Sequence, residues 1–459
     1  MSVDVLVLEW TTELTRDRLV SALISNYLSR YGISVQEGPL QNGRHIIDKV
    51  KPKVLLLVNT IGAVTSLEVA KYAKRKCVCV VSLFGEGNFN GDRIEQFVWG
   101  HNTQKQVVDH FRLVWSPRAL QLLQKSYPEL ADTSYVAGSV GADNYVIGGG
   151  EYLIDQKIKE CYQCVVGVGC WNFCLVDELD HRYYGFSEFV GHKEVARIRK
   201  DAVLFNGELK SLIKSCPEVL FLIKEHPHKA NLKNASGVDD LEHFKNVIFT
   251  DKDESIMNCI KSSDIWLTYE STTSLEAWLE GKPTGLLNPT GTKFISNWRS
   301  PIYKGQPNFP DAASWKYAIS EFIEKGRLPG FAEKCEIRLN LLDDVFGYSD
   351  GLNHVRVGNF IISILKGEIP YESSYERIRI KEYLTSKIKN MIWYSSAFIE
   401  MLGLWGRIPH FFHRFRVRAW NRKELFSYMD DLNSRQSKYY RKVKGSLDRI
   451  NVVKVCRDE

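Results

Sequence analysis

The stretch "SDIWLTYESTTSLEAWLEGKPTGLLN" (residues 263–288) decides the fold predicted for this chain. An apolar strand at residues 264–271 leads into a hydroxyl-rich turn, then an amphipathic helix pattern, then a second apolar strand at residues 284–288. Both strands are continuously apolar rather than alternating, which is typical of parallel strands that are buried on both faces. The stretch therefore predicts a strand–helix–strand unit of a doubly wound α/β domain.

The same alternation of strands and helices occurs twice along the chain. Outside the opening stretch, the apolar strands are predicted at residues 3–10, 51–60, 77–84, 111–116, 162–169, 218–227 and 246–250. Three consecutive glycines at 148–150 separate the two runs and suggest a hinge. The prediction is two Rossmann-like domains, with helical patterns near 312–325, 331–343 and 351–366 completing the second. The predicted boundaries are 1–147, 151–345, a closing helix at 346–370 and an extension at 371–459.

Composition indicates an ordinary globular protein. Of the 459 residues, 44% are hydrophobic and 25% charged. No apolar run approaches the roughly 20 residues that span a bilayer, and the N-terminus reads as a first strand rather than a signal peptide. The ten cysteines follow no secreted pattern, so we expect reduced thiols in the cytoplasm. Cys161, Cys164, Cys170 and Cys174 lie close together, but strand geometry would send some to opposite faces, and we predict no metal site.

The positive charge of the chain is concentrated at its C-terminal end. Residues 381–459 carry 17 Lys and Arg against 8 Asp and Glu, whereas the rest of the chain has a net charge of −3. Residues 387–423 interleave these cations with aromatic rings. This helical, basic aromatic extension suits the headgroup region of an anionic membrane. Packing of the aromatics on the body of the protein is the alternative, and nucleic acid is the least favoured partner because no recognition motif is present.

Polar residues end the strand at 218–227. The strand closes with "KEHP" (224–227), at the carboxyl edge where doubly wound sheets bind ligands. Pro227 stops the strand because it has no N–H to donate. Lys224 offers a positive charge and His226 a donor for a phosphate group. A turn with a solvated histidine would explain the same residues.

The hydroxyl-rich turn of the opening stretch is the second polar feature. Ser271, Thr272 and Thr273 are expected to cap the helix and to add hydroxyl donors beside its free N–H groups. A helix start of this kind binds phosphate through its amides and dipole. Glu276, one turn further, is expected to accept a hydrogen bond from a ribose hydroxyl or to hold the loop. Together with "KEHP", the turn predicts a nucleotide-phosphate site.

"KEHPHK" (224–229) and the stretch at 262–283 resemble the C-terminal half of bacterial surface-carbohydrate and capsule glycosyltransferases. These enzymes have two Rossmann-like domains with an interdomain cleft, the GT-B architecture, and include transferases of Kdo and other nonulosonic acids from CMP-sugars. The resemblance covers residues 1–345 and is poorly specific for the sugar. It implies that His226 and the cluster Ser271, Thr272 and Thr273 hold the nucleotide phosphate, without a metal cofactor.

Catalytic groups are expected at other strand ends. Glu86, between two glycines after the third strand, is a candidate general base for the acceptor hydroxyl, and the resemblance strengthens this role. A surface turn explains it as well. Arg16 and Arg18 follow the first strand and are candidates for binding a sugar carboxylate, or for a helix-surface ion pair. Asp177 and Asp180 are candidate nucleophiles for a retaining reaction.

These observations lead to one principal hypothesis and two alternatives. The principal hypothesis is a cytoplasmic glycosyltransferase, peripheral on the inner face of the plasma membrane. It would move a CMP-activated sugar such as Kdo onto a surface polysaccharide or lipid-linked glycan. The first alternative keeps the fold but changes the substrate, as in a CDP-polyol phosphotransferase or a UDP-GlcNAc 2-epimerase-like enzyme. The second alternative is a non-catalytic assembly protein.

Overall fold

The structure is a computed structural model of the chain. It describes residues 2–9, 16–58, 64–91, 94–100, 102–171, 173–178, 183–224, 241–250, 254–291, 300–372, 422–443 and 447–452, with helical positions at 384, 387, 388, 391 and 395. The chain forms two compact units, one of Met1–Ile147 with Asp343–Glu459 and the other of Gly148–Leu342.

The first unit is built on a six-stranded parallel sheet in the order β2-β1-β3-β4-β5-β6. Its strands are β1 (Val5–Glu9), β2 (Val35–Pro39), β3 (Val54–Leu57), β4 (Cys79–Leu83), β5 (Phe111–Val114) and β6 (Ser134–Val136). Alternate residues of the buried strands enter two different apolar clusters, one on each face of the sheet. Helices therefore cover both faces, as the continuous apolar runs predict.

The helices of the first unit are α1 (Arg16–Arg30), α2 (Gly43–Val50), α3 (Val64–Arg75), α4 (Ile94–Val98), α5 (Pro117–Ser126) and α6 (Val140–Ile147). Helix α5 shows how local sequence sets a boundary. Pro117 occupies its first turn, and the Ser116 hydroxyl accepts a hydrogen bond from the Ala119 amide.

The second unit has a five-stranded parallel sheet in the order β11-β10-β7-β8-β9. Its strands are β7 (Cys164–Gly169), β8 (Val219–Lys224), β9 (Val247–Phe249), β10 (Ile265–Thr268) and β11 (Thr284–Leu286). Its helices are α7 (Gln156–Lys159), α8 (Tyr183–Val190), α9 (His192–Ser215), α10 (Ile256–Ser262), α11 (Thr273–Leu279) and α12 (Ala312–Lys325). The strand order reverses between β7 and β10, which is where doubly wound sheets form their ligand crevice.

The C-terminal helices pack on the first unit. Helix α13 (Cys335–Phe346) crosses the unit boundary, and α14 (Asn353–Leu365) and α15 (Arg422–Tyr440) follow it. Val357, Phe360 and Ile361 of α14 join the apolar cluster beneath the first sheet. The expectation that the helical pattern near 351–366 completes the second domain is therefore wrong. The apolar stripe of α14 was evident from the sequence, but the surface it covers was not.

A buried chain of hydrogen bonds fixes α15 to the same unit. The Asp143 carboxylate and the His354 ring nitrogen Nδ1 are 2.7 Å apart, and His354 Nε2 lies 2.6 Å from the Tyr440 hydroxyl. Gln436 donates to the backbone oxygen of Leu23 on α1. This part of the extension packs on the protein body, the alternative considered for the basic aromatic extension. Residues 396–421, with most of its aromatic rings, lie outside the described residues.

Candidate functional site

The carboxyl edge of the second sheet brings the two predicted phosphate-binding segments close together. Gly169 ends β7 and is paired in register with Lys224 on one side and with Thr268 on the other. Two strand spacings therefore separate the ends of β8 and β10, about 10 Å. A side chain at Gly169 would meet the Thr273 hydroxyl at 2.7 Å, so the start of α11 lies directly over the end of β7. Glycine is needed there because no Cβ fits.

Hydrogen bonds within the turn position the start of α11. The Trp266 indole donates to Thr273 Oγ1 at 3.0 Å, and Thr273 Oγ1 in turn donates to Ser271 Oγ at 3.0 Å. Ser271 Oγ also accepts from the Thr273 amide at 3.3 Å. Two of the three predicted hydroxyls thus bond to the protein itself. Thr272, at the N-cap, makes no side-chain capping bond, and no described residue bonds its hydroxyl.

A buried aspartate holds the segment that leads into this turn. Asp201 lies in the middle of α9 with no solvent exposure, and it accepts a hydrogen bond from the Tyr269 hydroxyl at 2.5 Å. It also accepts from Thr290 Oγ1 at 2.9 Å and forms an ion pair with Arg197 at 3.0 Å. Burial, and then the bond to Asp201, raise the pKa of Tyr269. One carboxylate therefore ties α9 to the segments that follow β10 and β11.

Lys224 ends β8 as a buried residue. It is 4% exposed, and its backbone oxygen accepts from the Cys170 amide at 3.1 Å. Burial raises the pKa of the Cys259 thiol on α10 to about 11, a shift that the Lys224 charge opposes. The ammonium group is thus close to α10, on the face of the sheet that also carries α11. His226 lies outside the described residues, so its predicted role stays a prediction.

The remaining candidates of the second unit have different surroundings. Glu276 is half-buried in the first turn of α11. Asp177 is also half-buried and follows a short turn after β7, which Arg199 fixes by donating to the Val176 carbonyl at 2.8 Å. Asp180 lies outside the described residues. Within the described part of the chain, no group of three or more His, Cys, Asp or Glu side chains could hold a metal ion.

Glu86 lies in a loop of the first unit that the rest of the unit holds firmly. The loop follows β4, and Gly87 packs so tightly on Trp115 that an added Cβ would approach the indole to 2.4 Å. Arg118 donates to the carbonyl oxygens of Gly87 and Phe89, at 3.2 and 2.6 Å. Glu86 itself is exposed at the carboxyl edge of the first sheet. The role of Glu86 as general base stays a prediction.

Arg18 has a different environment from the one that the sequence suggested. Arg18 is 4% exposed, and its guanidinium contacts the carboxyl groups of Glu9, at 2.8 Å, and of Glu37. This arrangement fits neither of the two expected roles, binding of a sugar carboxylate or an ion pair on the helix surface. The guanidinium is buried, and its partners are two carboxyl groups of the protein. Arg16 is the first residue of α1, and its side chain lies outside the described part.

Burial changes the titration of this cluster. It raises the pKa of Glu9 from 4.5 to about 8, although the nearby Arg18 charge pulls in the opposite direction. The Glu9 carboxyl stays within 2.8 Å of the Arg18 guanidinium, which also contacts Glu37. The cluster therefore links β1, α1 and β2 and holds one proton near neutral pH.

Sequence reasoning missed Asp201 and Arg118. Asp201 interrupts an apolar stripe on α9 formed by Ile198, Phe205 and Leu209. A charged residue within such a stripe is the signal that could have identified it, because buried carboxylates require partners. Arg118 gave no comparable signal, since its acceptors are backbone oxygens of a loop distant in sequence.

The fold and the strand ends define a class: two Rossmann-like α/β domains with parallel sheets, as in enzymes of GT-B type, which confirms the predicted fold class. No protein-family model matches the chain, and no curated protein sequence matches it. Solved structures do resemble it. A Listeria monocytogenes protein assigned as a UDP-N-acetylglucosamine 2-epimerase has a TM-score of 0.52 at 12% identity. The match covers 82% of this chain and 100% of that protein.

Two further structures give the same result. A UDP-N-acetylglucosamine 2-epimerase has a TM-score of 0.52 at 12% identity. The S. aureus MnaA–UDP co-structure has a TM-score of 0.51 at 13% identity. Each match covers 82% of this chain and 100% of the other protein. Identities this low establish similarity of fold.

Proposed function

We propose that this protein is a nucleotide-sugar-dependent enzyme whose second unit binds the nucleotide. The observation that carries the proposal is that the end of β8 lies next to Gly169 and the start of α11 lies over the same glycine. A lysine, a hydroxyl-rich turn and the first amides of a helix are groups that proteins use to bind phosphate. Lys224 and Thr272 are the proposed phosphate ligands, with His226 as a third and Glu276 for the ribose.

The first candidate reaction is epimerisation of UDP-GlcNAc at C2. Its support is the fold similarity to two proteins described as UDP-N-acetylglucosamine 2-epimerases and to a third protein, MnaA, in a co-structure with UDP. These comparisons favour the epimerase-like alternative over the CMP-sugar transfer expected from the sequence, and they make UDP the first nucleotide to test.

The second candidate is transfer of a sugar, such as Kdo from its CMP derivative, to a surface or lipid-linked glycan. The basic aromatic extension favours it, because its cationic and aromatic residues at 384–420 would hold a transferase beside a membrane-bound acceptor. Glu86 is the proposed general base for the acceptor hydroxyl, and Lys224 and Thr272 are proposed to stabilise the leaving phosphate. Asp177 and Asp180 would serve a retaining version of the reaction.

Product analysis distinguishes these reactions. The full chain is incubated with UDP-GlcNAc, CMP-Kdo and CDP-glycerol, and products are identified by NMR. Conversion of UDP-GlcNAc to its C2 epimer would establish epimerisation, whereas nucleotide release that requires a glycan acceptor would establish transfer. Absence of both turnover and nucleotide binding would overturn the proposal in favour of an assembly protein.

A pair of lysine variants tests the nucleotide site itself. Lys224→Met is expected to weaken binding of the preferred nucleotide about tenfold, or roughly 1.4 kcal/mol, measured by calorimetry. Lys282→Met is the matched control, because Lys282 is a half-buried lysine of the same unit that donates to the Lys261 carbonyl. Equal affinities in the two variants would contradict the assignment of Lys224.

The membrane-facing surface is proposed to begin with an exposed helical stripe. Leu384, Ile388 and Met391 have helical backbones and are 53%, 54% and 64% exposed. In a helix, a spacing of four and three residues places side chains on one face. From 384 to 420 the sequence has six basic residues, one acidic residue and eight aromatic residues. An apolar face within such a cationic segment suits an anionic phospholipid surface. No described helix is both long and apolar enough to cross a bilayer.

Vesicle flotation tests this surface. The wild-type protein is expected to float with vesicles of phosphatidylcholine and phosphatidylglycerol, and the triple variant Leu384→Glu, Ile388→Glu and Met391→Glu is expected to lose most of this binding. Val203→Glu, at a 70% exposed position on α9, is the control. Undiminished flotation of the triple variant would contradict membrane docking. So would self-association of the wild type without lipid that the triple variant lacks, because the stripe would then bind a second copy of the chain.

A further inference from the structure

A small polar cavity lies within the first unit, apart from the proposed nucleotide site. It has a volume of about 30 Å³. Ser82 of β4 and Arg112 of β5 form part of its wall, and Ser66 of α3 and Trp99, just after α4, form another part. A cavity of this size accommodates a ligand of about the size of water and excludes a sugar ring.

Three hydrogen-bond donors of residues lining this cavity have no acceptor. They are Arg112 Nη1, Trp99 Nε1 and Ser66 Oγ, on side chains that are 4%, 2% and 1% exposed. None of these atoms bonds to any part of the chain that the structure describes. A buried donor without a partner costs about 1–3 kcal/mol, so three such groups on residues that line one cavity indicate a bound ligand.

Arg112 brings a positive charge to the cavity wall, beside the Asp109 carboxylate that also lines it. Arg112 Nη2 donates to Asp109 Oδ1 at 2.7 Å, which neutralises the pair but leaves Nη1 for another acceptor. The centre of the Trp99 ring lies 5.5 Å from the guanidinium carbon of Arg112, and this cation–π contact helps to hold the guanidinium in place. Ser66 is the third residue of the 12-residue helix α3, where the helix dipole adds positive potential.

Donor chemistry favours an anion. The guanidinium and the indole can only donate, so their partner must accept. A halide can accept from all three groups at once, whereas a water molecule accepts two hydrogen bonds and would turn its own protons toward acceptors of the lining, such as Asp109 and Asn102. We propose that this cavity is a binding site for a monatomic anion, chloride in the cell, held by Arg112, Trp99 and Ser66.

Crystallography with bromide tests the site directly. Crystals of the full chain soaked in sodium bromide are expected to show an anomalous peak within hydrogen-bond distance of Arg112 Nη1, Trp99 Nε1 and Ser66 Oγ. The same peak should be absent in Ser66→Ala and Trp99→Phe crystals. An ordinary water without anomalous signal in the wild type would overturn the proposal.

Thermal unfolding provides a test in solution. At equal ionic strength, chloride is expected to raise the melting temperature of the wild type relative to gluconate, which is too large to enter the cavity. Ser66→Ala and Trp99→Phe should lose this chloride-specific increment. Ser134→Ala is the matched control, a buried serine of the same unit that donates to the Leu130 carbonyl, and it should keep the increment. Equal melting temperatures of the wild type in the two salts would contradict the site.

Discussion

The carboxyl edges of the two sheets use charge in different ways. At the first edge, Arg18 is enclosed by Glu9 and Glu37, so each charged group finds its partner inside the protein. At the second edge, Asp201 holds the backbone around Tyr269, while the Thr272 hydroxyl has no described partner at the helix start. Polar residues after an apolar strand can therefore either hold the fold together or remain available to a ligand. Their partners, rather than their positions, distinguish the two roles.

Removal of Asp201 is expected to have the largest effect on stability. Asp201→Ala removes the buried acceptor of the Tyr269 and Thr290 hydroxyls and one of the two carboxylates paired with Arg197, which should lower the free energy of unfolding by about 3–5 kcal/mol. Urea unfolding followed by tryptophan fluorescence measures this change. Asp201→Asn, which keeps an acceptor oxygen, should lose less. If both variants matched the wild type, the second edge would not depend on this carboxylate.

The first edge should respond to pH because its cluster holds a proton. The pKa of Glu9 is raised from 4.5 in the unfolded chain to about 8 in the folded protein, mainly by burial. The folded state therefore binds more protons between these values, and stability present below pH 4.5 is lost as the pH rises through 8. Between pH 5 and pH 8 the wild type should lose roughly 2–4 kcal/mol more than Glu9→Gln does.

Urea unfolding at the two pH values provides the measurement for Glu9. The difference between wild type and Glu9→Gln isolates this one group, because the other titrating residues are common to both proteins. Parallel pH dependence of the two proteins would mean that Glu9 is ionised in the folded state.

The smallest expected effects distinguish the roles of two hydroxyls, Ser271 and Thr272, in the turn before α11. Ser271→Ala removes the acceptor of the Thr273 amide and should lower the free energy of unfolding by about 0.5–1 kcal/mol. Thr272→Val removes a hydroxyl with no described partner, so stability should change little while nucleotide affinity falls severalfold. Calorimetry with the preferred nucleotide measures the affinity of each variant, and urea unfolding measures its stability. The reverse pattern would assign the ligand contact to Ser271.

Much of the fold could be predicted because it is encoded in short segments. The nine predicted strands correspond to nine observed ones, since continuous apolar runs mark strands that are buried on both faces. The strands β2 and β6 were not predicted. β2 is an edge strand with a half-buried, mixed sequence, "VQEGP", and β6 has only three residues, so neither carries a clear apolar run.

The candidate site was predictable only in part. Lys224 and the turn at Ser271–Thr273 could be assigned to strand ends, because the carboxyl edge follows from chain direction alone. The role of Asp201 could not be assigned, since it depends on hydrogen bonds to Tyr269 and Thr290, which are far away in the sequence. The same limit explains why Arg18 was considered for a substrate.

The sequence by itself determined that this chain builds two parallel sheets and that polar groups follow their strands. Both properties depend on local periodicity and on chain direction. Only the tertiary structure decided which polar groups find hydrogen-bond partners inside the protein. It also decided that α14 packs on α1 of the first unit and not on the second unit. The physical reason is that burial and hydrogen bonding depend on which surfaces meet in space, and those surfaces come from segments hundreds of residues apart.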